Sequence, residues 1–147
     1  MMEMIFNNIY SILGAVALAS FGGYITYRNN MKNRTAEAAI KCRNRILVEL
    51  EGLYPVTQHW DQSIFSRLKQ SIIKIGSIAT EFRHFVPFYR KRAFDTALKN
   101  YCNYCNKITW DDVASYSFWP DFPQKRINPR EQFNNIVEHL LSFANKK

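Results

Sequence analysis

From Met4 to Tyr27 the chain carries no charged residue, and Glu3 and Arg28 bracket the stretch. As a helix it would rise roughly 36 Å at 1.5 Å per residue, and a bilayer core takes about 20 residues. The densest apolar part runs from Ile9 to Ile25. Asn7 and Asn8 would sit at one rim, and Tyr24 and Tyr27 suit the interface beside Arg28. A cleaved signal peptide wants positive charge ahead of the apolar run and small residues at the cut. Here only Glu3 precedes the run, and Tyr24 and Tyr27 are bulky, so a retained membrane-spanning helix is the expectation. Ser11, Ala15, Ala19 and Gly23 recur every fourth position along it. Small residues in that register let helices approach closely in lipid, so this line is the expected packing face.

Beyond Arg28 the pattern turns amphipathic. Ala36, Ala39, Ile40, Leu47 and Leu50 lie broadly along one side of a helix closed by Gly52 and Pro55. No proline separates this helix from the apolar stretch, so the two can run together. Asp61 could cap a second helix whose apolar stripe is Ile64, Leu68, Ile72, Ile75, Ala79, Phe82 and Val86. Pro87 marks a boundary. A further helix is expected over Tyr89–Cys105, with Ala93, Phe94, Ala97, Leu98, Tyr101 and Cys105 inward. Between Ile108 and Lys125 the rhythm breaks, and Trp110, Tyr116, Phe118, Trp119 and Phe122 read as an aromatic loop over the helices. Asn128 as N-cap, Pro129 at the first helical position and Glu131 at the third announce the last helix. Its apolar side is Phe133, Val137, Leu140, Leu141 and Ala144. The expected fold is all-α. Residues 1–30 are expected to form a single transmembrane anchor, and residues 31–147 a small cytosolic domain of about four helices.

Charge adds a direction. Lys and Arg number 20 against 12 Asp and Glu, a net +8, which suits contact with phosphate, nucleic acid or lipid headgroups. Arg28, Lys32, Arg34, Lys41, Arg43 and Arg45 follow the apolar stretch against Glu37 alone. By the positive-inside rule this puts the C-terminal part in the cytoplasm and the short N-terminus outside. Arg83, His84, Arg90, Lys91 and Arg92 crowd around Pro87, where a helix start would add backbone N–H groups. Phe85, Phe88 and Tyr89 between them could stack or simply pack. Arg67 and Lys74, seven apart, could extend that anion-binding patch along one polar side of the preceding helix. Lys125, Arg126 and Arg130 make a second candidate patch.

Catalytic chemistry finds little footing. Cys102 and Cys105 form a Cys-x-x-Cys pair, but no second close pair completes a zinc set, and they fall in a helical pattern. His59, His84 and His139 begin no metal-binding His-Glu-x-x-His motif, and no arginine is followed by histidine five positions on. No nucleophile elbow or glycine-rich phosphate loop is present. Asp111 and Asp112 are merely adjacent acids. A non-enzymatic protein with no cofactor and no metal is expected.

Two stretches also carry a resemblance. Glu51 to Pro55 (Glu-Gly-Leu-Tyr-Pro) and Glu81 to Phe94 (Glu-Phe-Arg-His-Phe-Val-Pro-Phe-Tyr-Arg-Lys-Arg-Ala-Phe), the latter continuing through Asp95 to Tyr101 and Cys102, resemble segments of small single-span bacterial membrane proteins of unassigned function. The layout is similar to the membrane effectors of type III CRISPR defence that bind cyclic tetra-adenylate. That resemblance implies an oligomeric bacterial inner-membrane effector whose cytosolic part senses a phosphate-rich ligand, with a cyclic oligoadenylate as the antiviral signal. Its partners would be the lipid bilayer, further copies of the chain and a cyclic oligonucleotide, with nucleic acid kept open. The alternative is a structural or scaffolding membrane protein that contacts anionic lipid and a protein partner.

Overall fold

The computed structural model describes residues 2–55, 60, 62–113 and 128–145; for residues 2–13, 15 and 64 it describes the backbone alone. Among these residues all regular structure is helical. Helix α1 spans Met2–Glu49, α2 Gln62–Arg83, α3 Phe88–Lys107 and α4 Pro129–Leu141, followed by a 3-10 turn over Ser142–Ala144. A short helical segment also begins at residues 110–113. The chain divides into two units, one ending at Ala36 and one beginning at Glu37, so α1 contributes to both.

The first unit corrects the expected transmembrane anchor. Among the described residues no helix is long and apolar enough to cross a membrane. Absence of charge alone does not make a stretch apolar. The expected span includes Asn7, Asn8, Tyr10, Ser11, Ser20 and Thr26, with glycines at 14, 22 and 23. Helix α1 runs on past Arg28 to Glu49, so the uncharged stretch is only its first part. Val16, Leu18, Phe21, Tyr24, Tyr27 and Met31 are all exposed. Of the expected packing line, Ala19 and Gly23 are exposed, and a Cβ added at Gly23 would meet nothing within 4 Å. The side chains of Ser11 and Ala15 lie outside the described residues. The inner-membrane location, with its outside N-terminus and cytoplasmic C-terminus, therefore loses its footing.

The second unit is built by successive antiparallel pairings. Arg45 meets Glu81 and Glu49 meets Lys74, so α2 runs back along the end of α1. Lys69 meets Cys105, Ser71 meets Tyr101 and Phe82 meets Phe94, so α3 runs back along α2. Tyr104 donates to the Pro129 carbonyl, Tyr101 faces Phe133 and Phe94 faces Phe143, so α4 runs back along α3.

Each helix turns one stripe inward. On α1 that stripe is Ala39, Cys42 and Ile46, with Leu50 just beyond its end. Ile40, expected inside, is 52% exposed, because it sits about 100° round the helix from Ala39. On α2, Leu68, Ile75, Ile78, Ala79 and Phe82 are buried, with Val86 just beyond, and Ile72 is half-buried. On α3, Phe94, Ala97, Tyr101 and Cys105 are buried, whereas Ala93 is exposed at the edge of the stripe. On α4, Phe133, Val137, Leu140 and Leu141 close the core, joined by Ala144 of the 3-10 turn. Trp60 and Phe133, both fully buried, meet edge to face at 5.3 Å between ring centroids.

The helix ends have local causes. After Glu49 the chain turns through Gly52 at φ +79°, a left-handed conformation that favours glycine, while Leu53 and Tyr54 donate to the Leu50 carbonyl. Asn128 accepts a 3.0 Å hydrogen bond from the Arg130 backbone N–H, and Pro129 opens α4. The expected cap Asp61, and the loop aromatics Tyr116, Phe118, Trp119 and Phe122, lie outside the described residues. Within that expected loop, Thr109 and Asp112 instead form a capping box at the head of residues 110–113. Asp112 accepts from the Thr109 backbone N–H at 2.9 Å and from its hydroxyl at 2.7 Å.

Candidate functional site

The basic residues that surround Pro87 sit on a tight corner between α2 and α3. Phe85 and Val86 donate backbone hydrogen bonds to the carbonyls of Phe82 and Arg83, and Arg90 donates to that of Pro87. Pro87, with φ −55° and ψ 143°, turns the chain into α3. The corner is anchored from below. Val86 is buried, and Phe82, Phe94 and Phe143 form a run of edge-to-face aromatic contacts at 5.8 and 5.5 Å.

Most of the candidate cations are already engaged. Arg83 makes a two-pronged contact to Asp95, with Nε and Nη2 donating at 2.7 and 2.9 Å. Those hydrogen bonds hold the Asp95 carboxyl below its ordinary range and push the Arg83 guanidinium up. Lys91 adds a weaker attraction to the same carboxylate. Arg90 lies over the Phe143 ring, 4.8 Å from its centroid. Lys74 pairs with Glu49 at 2.8 Å, and Arg67 donates to the Glu51 carbonyl at 2.9 Å. Arg67 and Arg83 are sixteen positions apart on one helix, about 24 Å, so the structure does not gather the expected patch into one site. Arg130 opens α4 within the second candidate patch, while Lys125 and Arg126 lie outside the described residues.

What remains open at the corner is different in kind. His84 and Arg92 are exposed and make no ion pair among the described residues. Beside them Phe88 is 89% exposed, Tyr89 82% and Phe85 42%. Two neighbouring rings stand almost wholly in solvent on the first turn of a helix that is firmly seated on its other face. Phe88 faces outward because it shares a stripe with Arg92, Thr96 and Lys99, opposite the buried Phe94 and Tyr101.

The chain matches no protein-family model, no curated protein and no solved structure. Together with the finding that among the described residues no helix is long and apolar enough to cross a membrane, this corrects the resemblance to single-span bacterial membrane proteins and to the cyclic tetra-adenylate effectors. The inner-membrane effector and the membrane scaffold both fall with the span. So do the lipid-bilayer partner and the homo-oligomer packed through Ser11, Ala15, Ala19 and Gly23. The cyclic oligonucleotide entered through that layout together with the basic clusters, and no comparison supports it.

Other chemistry in the second unit is inward-facing. Burial pushes the Cys42 thiol up to about 11 and the Cys105 thiol up to about 12, and it raises Cys102 as well. Thiols held protonated in this way are poor nucleophiles and poor metal ligands. Among the described residues no group of three or more His, Cys, Asp or Glu could hold a metal ion. The Ser71 hydroxyl lies 2.7 Å from the Leu68 carbonyl and 2.6 Å from the Tyr101 hydroxyl, wholly inside the core. Lys69 was not singled out by periodicity, yet its ammonium donates to the carbonyls of Cys105, Asn106 and Ile108 at 2.5, 3.1 and 2.9 Å. It caps the end of α3, where a cation also meets the negative end of the helix dipole.

Proposed function

We propose that the second unit is a non-catalytic protein-docking module, and that the α2–α3 corner is its recognition surface. The observation that carries this is the side-by-side exposure of Phe88 and Tyr89 on a rigidly held helix start. Aromatic side chains are the commonest energetic anchors of protein interfaces, because they bury much area for few rotatable bonds. Neither ring contributes to the core, which Val86, Phe94 and Phe143 already complete from below. The non-catalytic reading is supported by the protonated thiols, by the buried and hydrogen-bonded Ser71, and by the pairing of Asp95 with Arg83.

The test is a selection from a random peptide library displayed on phage, run against the full chain and against the F88A/Y89A variant. Enriched peptides are expected that bind the full chain and lose about tenfold or more in affinity for the variant. No enrichment, or peptides that bind both chains equally, would overturn the reading.

A further inference from the structure

Helix α3 concentrates positive charge. It holds five cations, Arg90, Lys91, Arg92, Lys99 and Lys107, against a single carboxylate, Asp95. That carboxylate is committed to Arg83. The buried stripe of α3 is Phe94, Ala97, Tyr101 and Cys105. The opposite face carries Phe88, Arg92, Thr96, Lys99, Asn103, Asn106 and Lys107, all exposed. At 100° per residue these seven fall within about 100° of arc. The ridge therefore begins at the two exposed rings and runs some 28 Å along the helix. Its free charges are Arg92, Lys99 and Lys107, none with an ion-pair partner among the described residues. Its remaining polar groups are neutral amides and a hydroxyl. No carboxylate interrupts it.

A solvated helix face normally mixes both signs of charge, because pairs of opposite sign at neighbouring turns stabilise it. A face with only one sign forgoes that help. It also offers successive cations at about 10 to 12 Å intervals to anything that runs alongside. We infer that this ridge is the footprint of an acidic segment of a partner protein, which sets an apolar residue on Phe88 and Tyr89 and places carboxylates along Arg92, Lys99 and Lys107. The inference rests on the docking reading above and names the partner's chemistry. The aromatic end supplies the anchor, and the cationic length supplies orientation and discrimination against basic or neutral sequences. The same argument explains why Arg83, Lys91 and Arg90 are not the contact cations: they are used to hold the corner in place.

The experiment is a fluorescence-anisotropy titration of the full chain with a labelled peptide that carries a Trp-Leu pair followed by a run of glutamates. Binding is expected to weaken as salt is raised. It is expected to fall by about tenfold or more in R92E/K99E. The control is K32E/K41E, which removes the same charge from exposed positions on α1. It should keep most of the affinity. Circular dichroism should show both variants folded, since these exposed side chains have no ion-pair partner among the described residues. Equal loss in the two double variants would mean that net charge alone is read, and would overturn the inference. So would undiminished binding of the peptide with every glutamate replaced by glutamine. Tighter binding of a single-stranded thymidine oligomer, abolished by R92E/K99E, would make the occupant a nucleic acid and overturn it as well. Library peptides that need Phe88 and Tyr89 but carry no acidic residues would overturn the acidic footprint and leave the docking corner standing.

Discussion

Lys69 gathers three carbonyl oxygens around one ammonium group and thereby joins the middle of α2 to the end of α3. Hydrogen bonds to a charged group are worth about 1.5–3 kcal/mol. Lys69→Met keeps the aliphatic stem and deletes the donor, so it should lower unfolding stability by about 2 kcal/mol in urea denaturation. The thiols give a second residue-scale expectation. Their folded values lie above the ordinary 9.0, at about 11 for Cys42 and about 12 for Cys105. Above pH 9 the unfolded chain releases thiol protons that the folded chain retains. Stability is thus fully present below about pH 9 and is lost as pH rises through 11 to 12. Thermal melts between pH 8 and 11 should show a falling melting temperature, and C42A/C105A should flatten that fall. Periodicity marks Lys69 only as a polar position on α2, since the carbonyls that it serves lie 36 to 39 positions further along the chain. Cys105 was legible as an inward residue from its helical register, and so was Tyr101.

The α2–α3 hairpin is the element on which the account turns. Its inner faces were legible because Leu68, Ile75, Ala79 and Phe82 keep a spacing of three or four, as do Phe94, Ala97, Tyr101 and Cys105. Edge positions were not. Ala93 and Ile40 are apolar by type but lie about 100° off their stripes, and a small or aliphatic side chain there carries little energy either way. The cap of α4 was readable from Asn128, Pro129 and Glu131, because capping chemistry is local. The capping box of Thr109 and Asp112 was equally local but was masked by the surrounding aromatic residues of the expected loop. Across the hairpin, the Arg83–Asp95 contact fixes the corner. The folded chain holds Asp95 below its ordinary 3.8, so the contribution of this pair is present above about pH 4 and disappears as pH falls through the depressed folded value. D95N should therefore melt below the parent at pH 6, and the gap should close toward pH 3.

For the molecule as a whole, charge counts proved less informative than charge placement. The net +8 is real, yet Arg45, Lys74, Arg83 and Lys69 spend their charge on the chain's own Glu81, Glu49, Asp95 and backbone carbonyls. Among the cations left over, Arg92, Lys99 and Lys107 line the outer face of α3, beside two rings that the core does not need. Only the burial of neighbouring residues separates free cations from engaged ones, and burial is a property of the assembled unit. The same limit explains the span that the N-terminal stretch suggested. Freedom from charge is visible in a sequence, but among the described residues no helix is long and apolar enough to cross a membrane. The most direct measurement is calorimetric titration of a library-selected peptide into the full chain and into F88A/Y89A, alongside their melting temperatures. The account predicts melting temperatures that agree closely, because both rings stand in solvent, and an affinity reduced by about tenfold or more in the variant. Unchanged affinity at equal stability would contradict it.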